Sequence, residues 1–128
     1  MTFEDDLKAE CEAERPTADV DVLLNGNPYT LRFTQMEGMD WASNSDLAPA
    51  RPGVLLDTRY GYHLRQLVTI VAPQCGGRVD GDMVVPLTED QWRAIFKGNG
   101  RNVARIGDAI FMLNEYNPDK AVEDAKVA

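Results

Sequence analysis

The stretch VDVLLNGNPYTLRF, residues 20–33, decides the fold of this chain. Apolar side chains occupy every second position on both sides of its centre: Val20, Val22, Leu24, Tyr29, Leu31 and Phe33. Period-two alternation is typical of a strand with one buried face, and the central Asn-Gly pair tolerates the positive φ angles of a tight turn. The stretch therefore predicts a β-hairpin. Because two strands alone are only marginally stable in water, helices or strands of another chain must cover its apolar face.

Helical patterns follow the hairpin. Thr34 and Glu37 have the spacing of a capping box and predict a short helix after them. Apolar residues three and four apart predict the longest helix over residues 54–71, with Pro73 as its stop. A second capping box at Thr88 predicts another helix, and further apolar stripes predict helices over 102–115 and within 119–128.

Proline and glycine mark the connections. Residues 48–53 hold two prolines and a glycine and predict a stiff surface loop, while residues 74–86 hold three glycines and predict an exposed loop with room for a short strand at 83–85. We therefore expect an α+β fold, mostly helical, in which an N-terminal hairpin packs on about four helices.

The charge of the chain is strongly negative and unevenly placed. Twenty-one acidic residues against 13 basic ones give a formal charge of −8, and six of the acids lie within residues 1–15. Such a field repels phosphate backbones and anionic lipid, so neither nucleic acid nor a membrane is an expected partner. We expect residues 1–18 to form a flexible acidic arm that orders on a partner, and residues 19–128 to form a single domain.

The first residues lack both a basic segment and an apolar run, and no later segment has the 18 or so apolar residues of a membrane span. These features predict a protein kept in the cytosol. In that reducing compartment we expect Cys11 and Cys75 to be free thiols.

The residues offer little for catalysis. His63 is the sole histidine, with no partner at a spacing that specifies a triad or a metal site. Cys75 has no neighbouring cysteine for redox work, and the pairs Asp19/Asp21 and Asp80/Asp82 lack the regular oxygen ligands of a calcium loop. We therefore expect no enzyme activity, no metal and no cofactor; a small enzyme that uses His63, Cys75 or Asp80 and Asp82 is the disfavoured alternative.

Large aromatic and methionine side chains are numerous for a chain of this length. Most are expected in the core, but adaptable or off-stripe residues of this kind are suited to a contact surface. The candidate partner-binding residues are Met36, Met39, Trp41, Tyr60, Tyr62, Met112 and Tyr116.

Several phrases along residues 19–126 carry a resemblance. They are LNGN at 24–27, YTLRFTQM at 29–36, MDWA at 39–42, RPGVLLDTRYGY at 51–62 and FMLNEY at 111–116. In order and texture the chain resembles the tail assembly chaperones of long-tailed phages that infect actinobacteria.

The resemblance implies a non-enzymatic protein of the host cell cytoplasm, absent from the finished virion. Such a protein binds the tape-measure protein, keeps its apolar helical segments soluble and helps to recruit tail-tube subunits. The negative charge, the adaptable side chains and a hairpin edge suited to self-association agree with this. The alternative is a structural virion protein, a head-tail connector or tail-completion subunit, in which the hairpin would build a sheet between subunits.

Overall fold

The computed structural model describes residues 2–115 and 118–127, which form seven helices and four strands. In chain order these are α1 (Phe3–Glu12), β1 (Thr17–Leu24), β2 (Asn27–Thr34), α2 (Gly38–Asp46), α3 (Leu55–Tyr60), α4 (Leu64–Cys75), β3 (Gly76–Asp80), β4 (Met83–Val85), α5 (Glu89–Gly98), α6 (Gly100–Asn114) and α7 (Pro118–Val127). The predicted class, α+β and mostly helical, is confirmed.

The strands form one antiparallel sheet in the order β1-β2-β3-β4. The predicted hairpin is its first half: Val20 lies opposite Leu31, and Asn25 and Gly26 make the turn with φ angles of 53° and 77°. Two successive positive φ angles match the twist of the flanking strands. The alternation seen in the sequence therefore sets the register of β1 and β2.

The prediction of an exposed loop over residues 74–86 is wrong. This segment contains the end of α4 and a second hairpin, β3–β4. A Cβ atom on Gly76 would collide with the ring of Phe33, and one on Gly77 would lie 2.7 Å from Cγ1 of Val84. The glycines thus stand where neighbours approach too closely for a side chain. The short strand expected at 83–85 is confirmed as β4.

The helix predicted over 54–71 is two helices. Gly61, with a φ of 86°, ends α3, and α4 begins at Leu64 and runs through Pro73 to Cys75. Proline removes one helical hydrogen bond, but most helix stability in proteins comes from tertiary packing. Here Leu67, Val68, Val71 and Ala72 are buried on α4, so the helix continues.

Of the two predicted capping boxes after the hairpin, only the second forms. Thr34 belongs to β2, paired with Thr17, and α2 begins later at Gly38 without a side-chain cap. Thr88 and Gln91 exchange the two expected hydrogen bonds at the start of α5. Pairing in the sheet therefore removed Thr34 from the helix that its spacing suggested.

The acidic arm is helical where we expected a frayed segment. A capping box between Thr2 and Asp5 starts α1, which buries none of its residues, and β1 begins at Thr17, inside the segment assigned to the arm. The division of the chain at residue 18 remains a prediction.

The core lies between one face of the sheet and helices α2, α4, α5 and α6. Its largest fully buried side chains include Trp92, Phe33, Leu31, Leu67, Ile106 and Ile110. Within residues 2–115 and 118–127, no helix combines the length and the apolar character that crossing a membrane requires.

Candidate functional site

Three of the predicted contact residues meet inside the protein. The rings of Trp41 and Tyr62 are 5.9 Å apart edge to face, and Tyr60 stacks on Tyr62 at 6.1 Å. The indole Nε1 of Trp41 and the hydroxyl of Tyr62 both donate hydrogen bonds to Oε2 of Glu115, at 2.8 and 2.9 Å. The burial of Trp41 and Tyr62 corrects their assignment to a contact surface, while Tyr60 is half-buried beside them.

This aromatic cluster is a structural clamp. Glu115 follows α6, Trp41 lies on α2, and Tyr62 lies between α3 and α4, so one carboxylate joins three parts of the chain. Burial and the hydrogen bond to Glu115 raise the pKa of Tyr62. The phenol therefore stays protonated and keeps donating, which makes a structural role the simplest account of the cluster.

The other predicted contact residues are dispersed. Met36 is half-buried, and its backbone N–H donates to Oδ1 of Asn114 at 2.9 Å. Met39 on α2 and Met112 on α6 are exposed, at 77% and 55%. Tyr116 lies outside the described residues.

The surroundings of Cys75, of His63 and of the neighbouring Asp57 are defined by the structure. Arg51 binds the carboxylate of Asp57 through Nε at 2.8 Å and Nη2 at 3.0 Å and holds the pKa of Asp57 at about 2. Burial raises the pKa of the Cys75 thiol to about 11, so it is a poor nucleophile near neutral pH. Both cysteines are free. His63 precedes α4 as its N-cap residue and makes no side-chain cap hydrogen bond there.

The paired aspartates lie at exposed positions of the two hairpins. Asp19 and Asp21 are exposed on β1, where they bind Arg32 and the hydroxyl of Thr30. Asp80 and Asp82 are exposed around the β3–β4 turn. Among the described residues, no group of three or more His, Cys, Asp or Glu side chains is placed to hold a metal ion.

A mostly apolar groove lies between the sheet and α5, with a volume of about 290 Å³. We call it the sheet groove. Its apolar lining consists of Leu24, Tyr29, Leu31, Leu87, Ala94 and Ile95, and its polar lining consists of Arg78 and Gln91. Tyr29 is 41% exposed. The chemistry of this groove suits apolar side chains, and Arg78 at its border lies 3.7 Å from the exposed carboxylate of Asp80.

Sequence reasoning missed this groove. Alternation placed Leu24, Tyr29 and Leu31 on the core-facing side of the hairpin, and nothing in the pattern shows that α5 stops short of covering them. Arg78 lay in the segment expected to be a loop, whereas in β3 it stands beside Leu31. Its contribution could be recognised only after the β2–β3 pairing was known.

The two outer strands of the sheet, β1 and β4, differ in how far other parts of the chain cover their edges. At the β1 edge, Asn102 of α6 accepts a hydrogen bond from the N–H of Leu23 at 3.3 Å and donates one to its carbonyl at 3.1 Å, while Arg105 donates to the carbonyl of Asp21 at 2.9 Å. At the other edge, Met83 and Val84 of β4 are 70% and 42% exposed. Partner strands are therefore hindered along part of β1 and meet a short apolar edge at β4.

Comparisons with known proteins add no constraint: no family model, no curated sequence and no solved structure matches this chain.

Proposed function

We propose that this chain is a non-enzymatic phage tail assembly chaperone that binds apolar helical segments of the tape-measure protein in the sheet groove. The observation that carries the proposal is the groove itself, an apolar opening on a body with a formal charge of −8. It acts in the host cytoplasm, helps to recruit tail-tube subunits and leaves before the virion is complete.

The groove suits a helical client for a physical reason. A helix presents apolar side chains three and four residues apart, and a groove lined by aliphatic and aromatic groups buries such anchors. Tyr29 offers a broad apolar face in the lining, and the ion pair of Arg78 with Asp80 is exposed enough to exchange for an acid of the client. Exposed Met83 on β4 lies opposite Asp80, on the same face of the sheet as Arg78, and extends the apolar surface.

The net charge suits the second part of the proposed activity, which is to keep the bound tape-measure protein soluble. A bound apolar segment would otherwise associate with other apolar segments, and a strongly charged carrier keeps the complex dispersed by mutual repulsion. The same charge disfavours nucleic acid and anionic lipid as ligands.

The test is co-expression with the tape-measure protein of the same phage, measured as the fraction of that protein that stays soluble. Ala94→Glu places a charge in the sheet groove at an exposed position of α5 and should lower client affinity about tenfold or more, because a charge buried against apolar groups is costly. Ala42→Glu makes the same change on an exposed position of α2 and serves as the control. A client that is equally soluble with and without the chain contradicts the proposal.

The exposed edge of β4 favours one second candidate, a structural virion protein that pairs strands between subunits. Stoichiometric amounts of the chain in purified particles would favour this candidate over the chaperone.

A further inference from the structure

Helix α1 carries an apolar stripe that is exposed in the part of the chain that the structure describes. Phe3, Leu7 and Cys11 are spaced four residues apart and so lie on one face, with Phe3 75% and Leu7 52% exposed. A ten-residue helix is marginal in water on its own. Burial of this stripe against another surface would therefore stabilise both the helix and the contact.

The linker after α1 is held on the end of the sheet. Ala13 has extended backbone, Arg15 donates from Nη1 to the carbonyl of Met36 at 2.9 Å, and the carbonyl of Pro16 accepts from the N–H of Gln35 at 2.9 Å. These contacts fix the point at which α1 leaves the sheet.

A cleft between α3, α4 and α6 offers a surface for this stripe, and we call it the helical cleft. It has a volume of about 240 Å³ and apolar walls formed by Leu56, Tyr60, Leu64, Val68, Val103 and Ala104. At Gly107, which also lines the cleft, an added Cβ atom would be 3.3 Å from Cγ2 of Val68, so α4 and α6 are close together there. The helical cleft and the sheet groove share no lining residue.

The elements that form the two surfaces differ in net charge. Between Phe3 and Glu12, α1 carries five acidic residues and one lysine. Residues 51–75 carry three arginines and one aspartate, and α6 carries two arginines and one aspartate. Within the lining, Arg51 is paired with the buried Asp57, which leaves Arg65 and Asp108 as the exposed charges of the cleft itself.

We infer that α1 of one copy docks in the helical cleft of a second copy, with Phe3 and Leu7 as anchors and its acidic residues beside Arg65. This is helix-in-groove recognition with electrostatic steering. Pairing of two α1 helices with each other is disfavoured because it would place two strongly acidic helices side by side. The contact is independent of the proposed chaperone activity.

Sedimentation equilibrium of the full chain over a wide concentration range tests the inference. Phe3→Ala with Leu7→Ala should weaken self-association at least about tenfold, because burial of the two anchors is lost. Val122→Ala with Val127→Ala removes a comparably exposed apolar pair from α7 and should leave the association unchanged. Circular dichroism and thermal melting check that each variant folds.

A mixing experiment distinguishes the helical cleft from other surfaces. Leu56→Glu blocks the cleft at a residue that is 48% exposed, and alone it should weaken self-association as the anchor variant does. An equimolar mixture of the two variants contains one intact α1 and one intact cleft, so it should form a heterodimer that neither variant forms alone.

A monomeric wild-type chain at every concentration would overturn the inference. So would an anchor variant that associates as strongly as wild type, a control pair that weakens association equally, or a mixture that stays monomeric. Arg65→Glu and added salt should both weaken the contact, since its steering is electrostatic.

Discussion

Asn102→Ala tests how the fold closes its first sheet edge. Asn102 is 2% exposed, and its amide makes two hydrogen bonds to the backbone of Leu23, at 3.3 and 3.1 Å. These bonds tie the first turn of α6 to the last residues of β1. Alanine cannot replace either bond, so the N–H and carbonyl of Leu23 lose their partner on α6.

The expected loss of stability follows from the two bonds. Each neutral hydrogen bond contributes about 1 kcal/mol net, and truncation of a buried side chain adds a smaller packing loss. We expect the free energy of unfolding to fall by about 2–3 kcal/mol. At about 4 °C per kcal/mol for a chain of this size, the midpoint of thermal unfolding should fall by about 8–12 °C.

Urea unfolding followed by circular dichroism measures the change, with the slope against urea compared between variants. Arg105→Ala is the control, because its hydrogen bond to the carbonyl of Asp21 is solvent-exposed and should cost less than about 1 kcal/mol. The freed strand edge should also raise self-association of Asn102→Ala on size-exclusion chromatography. A loss below about 0.5 kcal/mol would refute the view that Asn102 secures this edge.

Three further outcomes are expected. Gly76→Ala should lower the free energy of unfolding, measured with urea, by about 1–3 kcal/mol, because its Cβ would meet the Phe33 ring. Gly98→Ala has open space around it and should be neutral or stabilising. Equal effects of the two changes would contradict this packing argument. Arg51 holds the pKa of Asp57 at about 2, below the ordinary 3.8, so the ion pair stabilises the fold above about pH 4 and this stabilisation is lost as pH falls through about 2. Asp57→Asn should therefore flatten the acidic part of a profile of melting temperature against pH. An unchanged profile would exclude a contribution of this ion pair to stability. A thiol reagent at mildly alkaline pH should label exposed Cys11 quickly and Cys75 slowly, because burial raises the pKa of Cys75 to about 11, and equal rates by mass spectrometry would contradict this.

Local patterns predicted much of the framework. Alternation around Asn25 and Gly26 specified the first hairpin, and the capping box at Thr88 specified the start of α5, because both signals depend on residues a few positions apart. Thr34 shows the limit of such signals. It has the spacing of a helix cap, but it lies in β2 opposite Thr17 and caps no helix.

The candidate site was harder to predict. Met39 and Met112 are exposed, as a contact role requires, whereas Trp41 and Tyr62 are buried by a contact with Glu115 more than 50 residues away. Residue type alone could not separate these cases, because aromatic and methionine side chains are suited to both cores and contact surfaces.

The sequence by itself determined the hairpin that opens the sheet, the mostly helical remainder and the acidic character of the first helix, since each depends on local spacing or on composition. Tertiary structure alone decided that glycines 76 and 77 belong to a strand and that Asn102 covers the β1 edge. It also decided that an apolar groove stays open beside α5. The physical reason is that a residue's role at these places depends on the distance to neighbours far along the chain, and local patterns carry no information on that distance.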